Sequence, residues 1–122
     1  MQDRSTATSI KTDLKEGLGI VYPSADNVAH CSAESLEKAV RSLAESGCAI
    51  IALSFRDLVA DHAVQTGVLV MCRQITSKLG RKMLVIKESK TVMNSLADIC
   101  FFCDIEVHES LEECINHQPI GA

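Results

Sequence analysis

Two short, almost continuous apolar runs lie at residues 48–54 and 83–86, and neither contains a charged side chain. Such runs indicate strands that are buried on both faces, as in parallel sheets. Between them, residues 63–79 repeat apolar side chains at the 3.6-residue period of a helix, and Gly80 follows as a helix-ending residue. A strand, a helix and a strand in this order predict parallel strands joined by a crossover helix, and therefore an α/β domain.

The remaining segments continue this alternation. Two extended runs, at 8–13 and 18–22, flank Lys15-Glu16-Gly17 and predict an N-terminal β-hairpin. Further elements are expected as helices at 32–46, 89–96 and 110–115 and as a strand at 99–105. The predicted fold is a single α/β domain, a mostly parallel sheet with an N-terminal β-hairpin and about four helices.

Length and composition indicate one globular domain. The chain has 122 residues, of which 47% are apolar and 23% charged, as in average globular domains. We expect residues 8–116 to form the domain. The polar residues 1–7 are expected to be a flexible N-terminus, and residues 117–122 a short C-terminal tail.

The charge distribution argues against a nucleic-acid or membrane partner. The net charge is −4, aromatic residues make up 3%, and basic residues do not cluster beyond Arg81-Lys82. Nucleic-acid binding favours a clustered cationic face with stacking rings. No apolar stretch approaches the roughly 18 residues of a membrane span, and the N-terminus lacks the apolar core of a signal peptide. We therefore expect a cytoplasmic protein without membrane insertion.

The cysteines are predicted to be reduced. Most lie in apolar runs, where a thiol packs as a small apolar group. A redox role for Cys100 and Cys103 stays open, but a strand over 99–105 would point these two thiols to opposite faces. One C-x-x-C pair does not complete a four-ligand zinc site, so neither a metal nor a cofactor is predicted. The six residues are Cys31, Cys48, Cys72, Cys100, Cys103 and Cys114.

Several of these segments resemble the STAS domain, the domain of bacterial anti-sigma factor antagonists and of the cytosolic tails of sulfate transporters. The resemblance is carried by the helix at 32–46, Cys-Ala-Ile-Ile-Ala-Leu-Ser at 48–54, the turn at 61–67, Leu-Gly-Arg-Lys-Met-Leu-Val-Ile at 79–86 and the ending at 105–115. It implies a STAS-like fold and a bacterial signalling protein that regulates transcription through protein–protein interaction.

The resemblance also locates a site, the turn between the third strand and the second helix. STAS antagonists carry Asp-Ser-Ser/Thr-Gly there, and a partner kinase phosphorylates a hydroxyl. In this chain the acceptor position falls on His62, Ala63 or Val64, none of which has a hydroxyl. Thr66 is the nearby hydroxyl, but it lies in the second helical turn. The usual phosphorylation switch is therefore predicted to be lost, with Thr66 as the remaining candidate site.

Catalysis is not predicted at this turn. Asp61 is explained as a helix N-cap, whose carboxylate accepts a backbone N–H. His62 has no serine or cysteine nucleophile beside it in the sequence. The chain also contains neither G-x-x-x-x-G-K nor G-x-G-x-x-G.

The sequence therefore predicts a non-enzymatic binding module. The resemblance suggests an anti-sigma factor of the serine-kinase type as the partner, and the alternative is an accessory subunit or tail domain of a membrane transporter. A homodimer is left open. The predicted partner-binding residues are Asp57, Asp61, His62, Gln65 and Thr66.

Overall fold

The computed structural model describes residues 10–24, 33–58, 62–88, 100 and 104–117. In these ranges the chain forms one five-stranded sheet and three helices, so the predicted α/β fold with a mostly parallel sheet is confirmed. The strand order is β1-β2-β3-β4-β5, with β1 antiparallel to β2 and every other pair parallel. In chain order the elements are β1 (Lys11–Lys15), β2 (Leu18–Tyr22), α1 (Ala33–Glu45), β3 (Ile50–Ser54), α2 (His62–Lys78), β4 (Lys82–Ile86), β5 (Glu106–His108) and α3 (Leu111–His117).

The core is divided between the two faces of the sheet, because side chains alternate along each strand. On one face, strand residues pack with apolar side chains of α1 and α2, including Val21, Ile51, Leu53, Val85, Val40 and Leu69. On the other face, strand residues pack with α3, and this group includes Ile20, Ala52, Leu84, Ile86, Leu111, Cys114 and Ile115. Burial on both faces explains why β3 and β4 read as continuous apolar runs.

Gly17 permits the tight turn before β2, and Gly19 permits the close approach of α1 to β2. Glu16 and Gly17 both have positive φ, 51° and 83°, as a two-residue type I′ hairpin turn requires. Gly19 lets α1 approach the sheet, because a Cβ there would lie 3.1 Å from Cys48 Sγ and 3.2 Å from Leu43 Cβ. The N-terminal hairpin is thereby confirmed.

Two predicted strand positions are wrong. The first strand is Lys11–Lys15 rather than 8–13, because the turn needs only Glu16-Gly17 and Lys15 pairs with Leu18. Its five residues are all exposed, so no apolar pattern marks its bounds.

The strand predicted at 99–105 is also wrong. Cys100 is helical, Asp104 has a φ of 59°, and β5 begins only at Glu106. The Ile105 N–H donates to the Cys100 carbonyl at 2.7 Å, the five-residue spacing seen where helices end. A short apolar run does not by itself distinguish a buried strand from a buried helix. The helix predicted at 89–96 and residues 1–7 lie outside the described residues, as do residues 118–122 of the tail predicted at 117–122. His117, the first residue of that predicted tail, is the last residue of α3.

Candidate functional site

The carboxyl ends of the parallel strands meet at one edge of the sheet, here called the carboxyl edge. It is formed by Tyr22 at the end of β2, Ser54 and the residues after it at the end of β3, and Glu88 after β4. Because α2 follows β3, its first turn begins at this same edge. Open α/β sheets place their binding sites at this edge.

Glu88 connects three elements at the carboxyl edge. Its carboxylate accepts hydrogen bonds from Ser54 Oγ at 3.3 Å and from the Leu111 backbone N–H at 3.2 Å. Ser54 Oγ in turn accepts the Arg56 N–H at 3.1 Å. Glu88 holds a left-handed φ of 46°, a conformation that is costly for a non-glycine residue. These bonds fix the end of β3 relative to the start of α3.

An aromatic ring and an ion pair form the neighbouring surface. The Arg56 guanidinium lies 4.1 Å from the centroid of the Tyr22 ring, and Lys11 Nζ lies 5.7 Å from it. Arg56 also donates two hydrogen bonds to Asp57, both at 3.1 Å. Burial raises the pKa of Tyr22, and the charge of Arg56 partly opposes this shift. The hydrogen bond from Arg56 lowers the pKa of Asp57.

The first turn of α2 is anchored from inside the protein. Gln65 is fully buried, and its Nε2 donates to the Leu58 carbonyl oxygen at 3.2 Å. The expectation that Gln65 lies on a partner-binding surface is therefore wrong. Its position in the helix turns the side chain toward the core, where it satisfies a buried carbonyl of the loop after β3.

The other predicted site residues are distributed around this turn. Asp57 lies on the carboxyl edge with a side chain that is 39% exposed, and Thr66 is half-buried in the second turn of α2. His62 is the first residue of α2. Asp61 and the side chain of His62 lie outside the described part of the chain.

The sequence interpretation overlooked an apolar stripe on the outer side of α2. Ala63, Gly67 and Val70 are exposed and follow the i, i+4, i+7 spacing of one helical face. Val70 is 43% exposed, one of two large apolar side chains in the described residues with this property. The sequence contained a signal for it: Val68, Leu69, Val70 and Met71 are consecutive, and four successive helical residues span about 300° around the axis. At least one of them must face outward.

The comparisons with known proteins bear on the fold. No family model and no curated protein matches the sequence. Among solved structures, the crystal structure of TM1081 from Thermotoga maritima, inferred to be an anti-sigma factor antagonist, superposes with a TM-score of 0.60 at 15% identity, over 88% of this chain and 92% of that one. The NMR structure of TM1081 gives a TM-score of 0.61 at 16% identity, over 87% and 85% of the two chains.

A third similar structure is the anti-sigma factor antagonist SpoIIAA in its unphosphorylated form. It superposes with a TM-score of 0.60 at 9% identity, and the match covers 93% of this chain and all of that one, 100%. The chain has the STAS fold. The resemblance inferred from the sequence is thus confirmed at the level of the fold. In this STAS fold, the region predicted to hold the phosphoacceptor is the connection between β3 and the first turn of α2.

Four of the six cysteines fall in the described part of this STAS fold, and all four are buried and form no disulfide: Cys48, Cys72, Cys100 and Cys114. Burial raises the pKa of Cys72 to about 12 and, with Glu106 and Glu113, that of Cys114 to about 11. Such thiols are poor nucleophiles. The strand argument used for Cys100 does not hold, since Cys100 is helical; Cys31 and Cys103 lie outside the described residues.

Among the described residues, no helix has both the length and the apolarity to cross a membrane. In the same ranges, no three side chains of His, Cys, Asp or Glu converge as metal ligands do.

Proposed function

We propose that this chain is a non-enzymatic regulatory module that binds a protein partner through the outer face of α2 and the carboxyl edge. The observation that carries the proposal is the exposed stripe Ala63, Gly67 and Val70, which begins at the carboxyl edge. Small residues let the backbone of a partner approach closely, and burial of an exposed valine under a partner stabilises the complex. Thr66 on α2 and Asp57 on the carboxyl edge are assigned to the same surface as polar contacts.

The proposed partner is an anti-sigma factor of the serine-kinase type. The support is the STAS fold together with the two similar proteins described as anti-sigma factor antagonists. Anti-sigma factor binding is a surface property that needs no catalytic group in this chain. Asp61 and His62 are assigned to the same contact because they precede the stripe in the sequence.

The proposed complex does not switch by phosphorylation. Kinase transfer needs a hydroxyl in line with the γ-phosphate, within about 3–3.5 Å of it. The first four residues of α2, 62–65, contain no hydroxyl, and Thr66 is half-buried one residue further on. A kinase shaped for the usual acceptor would meet the wrong side of the helix, because each residue rotates the side chain by about 100°. Binding is therefore constitutive.

Mapping of phosphate on the chain tests this proposal. The protein, purified from its native cells with its bound partner, is analysed by mass spectrometry beside Thr66→Val, an isosteric variant without the hydroxyl. We expect no phosphate on residues 54–70 and equal partner recovery for both proteins. Stoichiometric phosphate on Thr66, with altered partner recovery for Thr66→Val, would restore an ordinary phosphorylation switch. Recovery of a membrane transporter as the partner would replace the anti-sigma factor by the transporter alternative.

A further inference from the structure

Arg56 is an exposed residue whose main chain and side chain are both fixed. It lies on the carboxyl edge, in the connection from β3 to α2, and its side chain is 41% exposed. Its backbone N–H donates to Ser54 Oγ at 3.1 Å, and Ser54 is fully buried. The start of the side chain is thereby held at the end of β3.

Two neighbours fix the guanidinium of Arg56. Its Nε and Nη2 donate to the two carboxylate oxygens of Asp57, each at 3.1 Å, and this bidentate geometry suits the planar group. The guanidinium carbon also lies 4.1 Å from the centroid of the Tyr22 ring, a cation–π distance. Tyr22 is 4% exposed and packs in the core on the α3 side of the sheet, so Arg56 rests on a rigid support.

Arg41 shows how an ordinary exposed arginine of this chain differs. Its side chain is 49% exposed and pairs with Glu37, which is 42% exposed, so the exposure is close to that of the Arg56–Asp57 pair. Only its Nη2 donates to the carboxylate, and in the described ranges no aromatic ring lies against it. Long side chains with so few contacts keep most of their rotational freedom.

The Arg56–Asp57 pair is suited to burial in an interface. An arginine that is already immobilised loses little conformational entropy when a partner binds. The pair has no net charge, so its burial leaves neither group without a counter-ion. The described residues provide no acceptor for Nη1 of Arg56, and this nitrogen carries two N–H donors. The outer edge of the guanidinium can therefore donate to a partner.

We infer that Arg56 is a binding hot spot of the partner surface and that its Nη1 donates to backbone carbonyl oxygens of the partner. Arginine is enriched among such residues. A neutral carbonyl fits the neutral ion pair, whereas a carboxylate would compete with Asp57 for the guanidinium and be repelled by it. The inference rests on the proposed function, because it requires a protein partner at the carboxyl edge.

Affinity measurements with conservative variants test this inference. The partner recovered with the wild-type chain from native cells is identified, purified and titrated by isothermal calorimetry. Arg56→Lys keeps the charge and removes the planar fork, and it should weaken the affinity at least about tenfold. Arg41→Lys makes the same change in a pair of similar exposure, and should weaken the affinity less than about twofold. Circular dichroism verifies that each variant is folded.

Asp57→Asn distinguishes the two kinds of acceptor on the partner. If the partner presents carbonyls, this change leaves the guanidinium without its counter-ion in the interface, and the affinity should fall about tenfold. If the partner presents a carboxylate, the released guanidinium would pair with it and the affinity would rise. A rise would overturn the inference.

Val70→Arg separates the failure of this inference from the failure of the proposed function. Weakened binding by Val70→Arg, with Arg56→Lys binding as tightly as the wild type, would overturn the role of Arg56 and leave the proposed function intact. Wild-type affinity for both Val70→Arg and Arg56→Lys would overturn both. Equal weakening by Arg56→Lys and Arg41→Lys would also overturn the inference, since the rigid arrangement of Arg56 would then make no difference.

Discussion

Gln65, in the first turn of α2, donates a hydrogen bond from Nε2 to the backbone carbonyl of Leu58, 3.2 Å away. Both residues are fully buried, so the bond ties the start of α2 to the loop after β3 from within the core. Gln65→Met keeps the length of the side chain and removes the donor. We expect it to lower the free energy of unfolding by about 1–3 kcal/mol, because the buried Leu58 carbonyl loses its partner.

The control is the same substitution on the outside of the helix. Gln74 is exposed, and Gln74→Met should change the free energy of unfolding by less than about 0.5 kcal/mol. Urea denaturation of both variants gives the comparison. Equal stabilities for Gln65→Met and Gln74→Met would contradict the assigned role of Gln65.

The absorbance of Tyr22 measures the effect of the Arg56 charge on the pKa of its phenol, without an added label. It is the chain's single tyrosine, and there is no tryptophan, so the absorbance change on phenolate formation belongs to it alone. Burial raises its pKa and the charge of Arg56 opposes that rise. Arg56→Gln should therefore raise the pKa of Tyr22 further.

Arg41→Gln provides the matched control for the tyrosine titration, because Arg41 lies on α1 and pairs with Glu37. Its replacement should leave the Tyr22 titration unchanged. Circular dichroism at each pH verifies that the protein stays folded. A lower or unchanged pKa of Tyr22 in Arg56→Gln would show that the guanidinium does not lie over the ring.

Because burial raises the pKa of the Cys72 thiol, we expect the folded protein to lose stability at alkaline pH. Its pKa is raised to about 12, whereas an unfolded thiol has a pKa of about 8.5. Above the unfolded value the unfolded chain has released this proton and the folded chain still holds it, so stability falls as the pH rises. The fall should be about 1.4 kcal/mol per pH unit until the folded pKa is reached.

Cys72→Ala isolates this contribution from the other groups that titrate in alkali. The stability difference between the wild type and Cys72→Ala, measured by urea denaturation, should shrink steadily between about pH 9 and pH 11. A difference that stays constant over this range would mean that the thiol is accessible to water.

Two neighbouring residues of α2 test which face of the helix packs on the sheet. Leu69 is 1% exposed and Val70 is 43% exposed. Leu69→Ala should cost about 2–5 kcal/mol of folding free energy as a core deletion. Val70→Ala should cost less than about 0.5 kcal/mol, since its side chain lies largely in solvent. Thermal denaturation of both variants measures the contrast, and similar losses would mean that the helix is rotated from the position described.

The fold was largely predictable from the sequence, because two uninterrupted apolar runs mark β3 and β4 and the long segment between them repeats apolar residues at the helical period of α2. The bounds of β1 were not, since its residues are polar and exposed. The end of the chain was misread at 99–105, where Ile-Cys-Phe-Phe-Cys has no period that separates strand from helix. In the candidate site, Asp57 lies after β3 and Thr66 lies in the second turn of α2, and their role in partner binding stays a prediction. Gln65 was wrongly predicted to be exposed. Its amide is buried because it donates to the carbonyl oxygen of Leu58, and only the folded loop after β3 brings that carbonyl within reach.

The contacts around Glu88 were beyond sequence reasoning for a similar reason. Ser54 and Leu111 lie far from Glu88 in the chain. The pairing of β3 with β4 brings Ser54 to its carboxylate, and the pairing of β4 with β5 brings Leu111. The stacking of Arg56 on Tyr22 likewise depends on the pairing of β2 with β3.

The central claim, binding of a protein partner through the outer face of α2, is tested most directly by quantitative co-purification from native cells. The tagged wild-type chain is compared with Val70→Arg and with Leu14→Arg. Leu14, on the edge strand β1, is the other exposed large apolar residue in the described ranges. A charge placed in a contact surface weakens the complex. We predict that Val70→Arg lowers recovery of the bound partner at least about tenfold, while Leu14→Arg retains it. Equal recovery with Val70→Arg and the wild type would contradict the account.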